Sequence, residues 1–229
     1  MKIYGLEKLS MVDFDGHLCA TIFTAGCNFR CPYCHNSDLV LGTNLVEILE
    51  SDVLGYLKQR KGLLDSVCVS GGEPTLQKDL PLFIKKLKDM GYLVKLDTNG
   101  TNFDMLKQLI EQKLIDYVAM DIKSDENGYL TFFKCSPDAY NNVKKSIALL
   151  KENIVPYEFR TTITSQLFNK SVAENMAKML SDAHILYLQC FKDNETNLEK
   201  DLSKISQGDL EEYKQILEKT IKEVKYRGY

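Results

Sequence analysis

Short β-rich runs alternate with stretches of helical spacing along most of the chain. Leu18 to Thr24 reads as a first strand, followed by a cysteine-rich loop and a helix over about Val46 to Arg60. Ser66 to Ser70 reads as the next strand. Over Asp79 to Met90, Leu80, Phe83, Ile84 and Leu87 keep the spacing that puts them on one helical face. Pro81 falls in the first turn of that helix, where its missing N–H is harmless. Tyr92 to Asp97 then predicts a strand leading to a helix near Phe103 to Gln112, and Tyr117 to Asp121 a strand followed by a helix over Ala139 to Glu152. Tyr157 to Ile163 precedes a helix over Val172 to Leu180, and Ile185 to Gln189 precedes a last one over about Asp209 to Val224. That last stretch places Leu210, Tyr213, Ile216, Leu217, Ile221 and Val224 on one face.

Six strand–helix repeats predict an α/β fold with a parallel sheet covered by helices. Such a sheet is either open and doubly wound or curled into part of a barrel. Both arrangements collect chemistry at the carboxyl ends of the strands. The cysteine loop, Gly71-Gly72-Glu73, Asp97-Thr98-Asn99-Gly100 and Asp121-Ile122-Lys123 all fall at such ends.

Composition adds limits. The 229 residues contain no low-complexity tract or Pro/Gly/Ser-rich linker, so the simplest partition is one domain over 1–229. Its core spans about 13–190, and about 192–229 form a C-terminal helical extension without a specific motif. A net charge of −3 gives no reason to expect a nucleic-acid partner. The longest apolar stretches, such as Ile147 to Leu150, are too short to cross a bilayer. Residues 1–15 carry Lys2, Glu7, Lys8, Asp13 and Asp15 without a continuous apolar segment, so no signal peptide and no membrane association are expected. The expected compartment is the cytoplasm.

In a reducing compartment, clustered cysteines point to metal or redox chemistry. Of the seven cysteines, Cys27, Cys31 and Cys34 share one loop with the spacing C-x3-C-x2-C, while Cys19, Cys68, Cys135 and Cys190 are scattered. Cys68 and Cys190 sit inside strand patterns and read as small buried hydrophobes. Thiolates so closely spaced suit zinc or an iron–sulfur cluster. A closed zinc site needs a fourth ligand. His35 is at hand, but neighbours in sequence seldom both reach one tetrahedral ion. Three ligands instead suit a cluster with one iron left open. In Ser70-Gly71-Gly72-Glu73-Pro74, the glycines allow close backbone approach to a ligand, and the carboxylate can receive an ammonium group. Taken alone, Asp97-Thr98-Asn99-Gly100 is an Asx turn and Asp121-Ile122-Lys123 a surface ion pair. His17 and His184 read as structural.

With Tyr33 before its third cysteine, the loop resembles the signature of the radical S-adenosylmethionine (radical SAM) family. The resemblance implies a partial (β/α)6 TIM-type barrel. It also implies a [4Fe-4S] cluster held by Cys27, Cys31 and Cys34, whose open iron binds S-adenosylmethionine and delivers the electron that cleaves it. Gly71, Gly72 and Glu73 are similar to the family's motif for the methionyl amino group, and Tyr33 to its aromatic near the adenine. Asp97, Thr98, Asp121, Lys123 and Arg160 resemble positions of the glycyl-radical-enzyme activases that surround the cofactor and a monovalent cation, here near Asp97 and Asp121.

Leu9 to His17, with Cys34-His35-Asn36, is most similar to the anaerobic ribonucleoside-triphosphate reductase activating proteins. Asp15 stands where they usually have proline, and the Gly-Pro-Gly of pyruvate formate-lyase activases is missing. The resemblance implies a glycyl-radical enzyme as protein substrate and flavodoxin or ferredoxin as electron donor. The rival readings are activation of another glycyl-radical enzyme, a small-molecule radical SAM reaction such as that of 7-carboxy-7-deazaguanine synthase, and a non-enzymatic zinc or iron–sulfur protein.

Overall fold

A computed structural model describes residues 1–195 and 197–228. Its frame is one eight-stranded sheet with the strands in chain order, β1 to β8. β1 (Gly5–Ser10) pairs antiparallel with β2 (Cys19–Thr24). From β2 onward all neighbours are parallel: β3 (Ser66–Gly71), β4 (Leu93–Thr98), β5 (Tyr117–Asp121), β6 (Tyr157–Ile163), β7 (Leu186–Cys190) and β8 (Val224–Arg227). The crossovers carry helices α1 (Ser37–Leu41), α2 (Glu50–Gln59), α3 (Leu80–Asp89), α4 (Phe103–Glu111), α5 (Glu126–Thr131), α6 (Pro137–Lys151), α7 (Lys170–Met179) and α8 (Gln207–Leu217).

A parallel sheet whose order never reverses sends every right-handed crossover to the same face, so the helices form one outer layer. The strands β2 to β7 are thus the six expected repeats of a partial (β/α)6 barrel, flanked by β1 and β8. Strand alternation then sorts the side chains. Ala20, Ile22, Val67, Val69, Val94, Leu96, Val118, Met120, Phe159, Leu186 and Leu188 are fully buried in the core shared with the helices. The alternate positions, facing the barrel interior, include Thr21, Cys68, Lys95, Asp97, Asp121, Glu158, Arg160 and Gln189. Their polarity tells that the inner face serves something other than packing.

Two boundaries depart from the sequence pattern. The last helix ends at Leu217 instead of running to Val224, because Glu218 to Lys222 turn back onto α7 and the β7 approach. There the Thr220 hydroxyl donates to the Ala177 carbonyl at 2.6 Å and the Lys222 N–H to Ala183 at 3.0 Å. Ile221 and Val224 are buried by that turn and by β8, not by a helical face. The segment from 192 is therefore not a purely helical extension, since it adds a parallel strand to the sheet. At the other end, Val46 is exposed and α2 begins only at Glu50. Among the described residues, no helix is long and apolar enough to cross a membrane.

Candidate active site

The carboxyl ends of the strands surround a cavity of about 380 Å³, and the residues that the sequence analysis assigned to the cluster and to S-adenosylmethionine line it. The cysteine loop forms one wall between β2 and α1. Its entrance is fixed by Gly26, at φ +85°, whose N–H bonds the Leu39 carbonyl at 2.8 Å. Arg30 folds back to donate to the Cys27 and Phe29 carbonyls at 2.7 and 2.9 Å, and the Cys34 N–H bonds the Cys31 carbonyl at 3.0 Å. Phe29 anchors the loop against Tyr129 and Phe133.

Cys31 is buried, and Cys27 and Cys34 are half-buried. Burial pushes all three thiols above their ordinary value, Cys31 to about 12, while the nearby Lys123 ammonium works the other way. Among the described residues, no three His, Cys, Asp or Glu side chains converge on a point one ion could occupy. Cys27, Cys31 and Cys34 all line the cavity from one loop, a donor set that suits a cluster taking one thiolate per iron. His35 also lines the cavity, and its Nδ1 lies 2.6 Å from Nδ2 of Asn194 in the segment after β7. That segment also donates the Glu199 N–H to the Pro32 carbonyl at 3.0 Å.

The glycine pair has a backbone reason. A Cβ on Gly71 would lie 2.3 Å from the Thr24 carbonyl oxygen, and one on Gly72 would lie 2.1 Å from that of Gly26. The Gly72 and Glu73 N–H groups bond those two carbonyls at 2.8 Å each. The pair thus continues β3 alongside the start of the cysteine loop and sets where that loop begins.

Glu73 is fully buried and ties three segments together. Its Oε1 accepts from the Thr75 N–H at 3.2 Å, the Thr75 hydroxyl at 2.5 Å and the Thr98 hydroxyl at 2.7 Å, and its Oε2 accepts from the Asn99 N–H at 2.6 Å. Burial raises its carboxyl above the ordinary value against the pull of these donors. Thr98 therefore serves Glu73 directly. Asn99 goes further: its side chain donates to Asn28 at 2.9 Å and accepts from Thr101, which in turn accepts from Asn28 at 2.8 Å. Asn28 and Thr101 escaped the sequence reading. The available signal was an asparagine within the cysteine loop facing an asparagine in the Asp97–Gly100 turn.

The same cavity holds a charged array. Arg160 Nε donates to Asp121 Oδ1 at 2.9 Å, and Lys123 Nζ lies 3.3 Å from Asp121 Oδ2. Burial opposes ionisation of Asp121, but Arg160 and Lys123 outweigh it and lower the carboxyl to about 2. Asp97 accepts from Ser70 at 3.0 Å and lies 3.5 Å from Arg160 Nη1. The pair 121/123 is thus no surface ion pair. Tyr33 packs edge-on against Phe133 with its ring 6.0 Å from Lys123 Nζ, and its hydroxyl is buried without a hydrogen-bond partner.

Outside this mouth, Cys68 is buried as expected, and Cys190 is only half-buried. His17 pairs with Asp65 at 2.7 Å, in keeping with a structural role.

Comparison with known proteins agrees with this geometry. The model of the radical SAM superfamily matches residues 21–183. A Methanocaldococcus jannaschii protein described as a glycyl-radical enzyme activating enzyme is 36% identical over 98% of this chain and 95% of its own length. The pyruvate formate-lyase-activating enzyme of Clostridium pasteurianum is 27% identical over 97% of this chain and 98% of its own. A crystal structure of a domain of pyruvate-formate lyase-activating enzyme from Bacteroides vulgatus superposes with a TM-score of 0.58 at 18% identity, covering 71% of this chain and 99% of that one. On the cysteine loop, the barrel and a match running through most of its length, the chain belongs to the radical SAM superfamily, whose members carry a [4Fe-4S] cluster and S-adenosylmethionine.

Proposed function

We propose that this protein is a cytoplasmic activase that makes a glycyl radical on anaerobic ribonucleoside-triphosphate reductase, drawing electrons from a flavodoxin or ferredoxin. The observation that carries the radical chemistry is that three thiols and an array of paired charges line one cavity. When bound and reduced, the cluster supplies an electron that cleaves S-adenosylmethionine and yields a radical able to take a hydrogen atom from a glycine.

In this reading Cys27, Cys31 and Cys34 hold the cluster. Lys123 and Arg160 supply positive charge for the methionyl carboxylate. Glu73 offers its less engaged oxygen, Oε2, to the methionyl ammonium, with the Gly71-Gly72 backbone alongside and Thr98 holding it. Tyr33 closes the adenine side with its ring and its unpaired hydroxyl. Asp97 and Asp121 keep the cations oriented. A glycyl-radical enzyme as protein substrate is supported by relatives aligned over nearly their whole length, and the choice of the reductase by the Leu9–His17 segment with Cys34-His35-Asn36. β8 and β1 are not paired, so a partner's glycine loop would enter the barrel laterally past the exposed Arg227–Asp15 pair, and docking there would exclude water from the radical.

The test is anaerobic. Reconstituted and reduced protein is mixed with S-adenosylmethionine and the reductase, beside a Cys31→Ala control, and 5′-deoxyadenosine and the glycyl radical are measured. Both products in the wild type alone support the proposal. 5′-Deoxyadenosine without a radical on the reductase would move the activity to another glycyl-radical enzyme or, with turnover of a free small molecule, to a sibling such as 7-carboxy-7-deazaguanine synthase. Bound cluster with no cleavage would leave a binding protein.

A further inference from the structure

The resemblance to activases implies a monovalent cation near Asp97 and Asp121, and the side chains around these carboxylates leave it little to do. Asp121 is bracketed by Arg160 and Lys123 at 2.9 and 3.3 Å. Asp97 Oδ2 takes the Ser70 hydroxyl at 3.0 Å and faces Arg160 at 3.5 Å. Its other oxygen, Oδ1, is buried and receives no hydrogen bond, and the cation facing it is Lys95 Nζ at 3.6 Å.

Lys95 is an unusual residue to find there. It sits on β4 two positions before Asp97, on the same inward face, and is 3% exposed. Its ammonium donates to the Asp13 carbonyl, lies 3.9 Å from Glu158 Oε1, and has the Phe14 and Tyr117 rings at 6.0 and 5.9 Å. A lysine is rarely buried this deeply without partners that require its charge. Asp97, Asp121 and Glu158 are thereby met by four cations of the chain: Lys95 and Arg160 at Asp97, Lys123 and Arg160 at Asp121, and Arg227 at Glu158. An additional cation would find none of these three carboxylates unmatched, in a setting where like charges repel strongly.

We infer that Lys95 is a built-in counter-cation: its ammonium, fixed from within the barrel, neutralises and orients Asp97, so that S-adenosylmethionine binding in this protein needs no free potassium or sodium. Lys95 is a positioning residue, acting on the cofactor through Asp97. The inference rests on the assignment of Asp97 and Asp121 to the cofactor site.

The experiment measures the dissociation constant of S-adenosylmethionine for the anaerobically reconstituted enzyme by equilibrium dialysis. Choline chloride is exchanged for potassium, sodium or ammonium chloride at constant ionic strength. The wild type is expected to stay constant within about twofold, since a site that binds no cation shows no linkage to it. Lys95→Met is expected to weaken binding about tenfold in choline, the scale of one charge-assisted contact, and to recover in ammonium or potassium. Lys95→Arg keeps the charge and is expected to remain indifferent to the salt. Tightening of the wild type by potassium would overturn the inference, as would a folded Lys95→Met that no cation rescues. If Lys95→Met does not fold, the wild-type series and Lys95→Arg decide. A wild type that binds no S-adenosylmethionine in any salt would sink the cofactor-site reading itself.

Discussion

Glu73 holds the cavity together as much as it serves a ligand. Four donors from Thr75, Thr98 and Asn99 end on its two oxygens, so removing the carboxylate strands buried N–H groups. Glu73→Ala is expected to cost about 2–4 kcal/mol in denaturant unfolding of the cluster-free protein, in addition to weakening S-adenosylmethionine binding. A purely ligand-facing carboxylate would lose binding with stability unchanged. Asp121 carries the opposite pH signature. Its carboxyl is held down to about 2 against an ordinary 3.8, so the stability it contributes is complete above 3.8 and is lost as pH falls towards 2. On the order of 1–2 kcal/mol should disappear across that window in the wild type, and Asp121→Asn should be flatter there. The three thiols run the other way, because burial keeps them protonated and iron must displace those protons. Cluster assembly from iron and sulfide, followed by visible absorbance, is therefore expected to speed up with rising pH.

At the scale of elements, the β2–β3 pair aligns the two halves of the site, and its glycines bear the strain of doing so. Gly72→Ala would push a methyl group to 2.1 Å from the Gly26 carbonyl, where neither backbone can yield without moving the cysteine loop. Loss of at least about 3 kcal/mol and poor cluster loading are expected. Gly55 is the control, since nothing lies within 4 Å of its added Cβ and it sits inside α2. Gly55→Ala is expected to stabilise by about 0.5–1 kcal/mol in the same assay. The contrast shows what sequence could and could not convey. The Gly71-Gly72-Glu73 run was legible as a site, but its glycines were read as making room for a ligand, whereas their tight neighbours are the Thr24 and Gly26 backbones. The six inner repeats were legible because amphipathic helices and buried strands alternate along the chain. β1 was not, because three of its six residues are exposed and it shows no clean alternation. β8 was not, because four residues, Val224 to Arg227, continue the apolar spacing of the helix before them. The buried network of Asn28, Asn99 and Thr101 depends on side chains about 70 residues apart meeting in space, and no local pattern encodes that.

For the whole molecule, the chain's last strand completes the charge balance inside the barrel. Arg227 on β8 donates to both oxygens of Glu158 at 2.7 and 3.1 Å, lies over the Tyr187 ring at 3.7 Å, and reaches Asp15 on the β1–β2 loop at 2.9 Å. One side chain therefore connects the two edges of the open sheet. The two ends of that bridge should differ sharply in worth. Glu158 has a side chain only 3% exposed, so leaving its charge without Arg227 is costly, whereas Asp15 is 64% exposed and its pair is screened by water. Arg227→Met is expected to destabilise by about 3 kcal/mol, and Asp15→Ala by less than about 0.5 kcal/mol, in denaturant unfolding. Combining Arg227→Met with Glu158→Gln should recover part of the loss, because the second change removes the stranded charge. Equal small effects from Arg227→Met and Asp15→Ala would mean that β8 merely caps the sheet edge. A large loss at Arg227 alone would mean that residues far from the cysteine loop in sequence set the electrostatics of the site, through Glu158 to Lys95 and Arg160 and from there to Asp97.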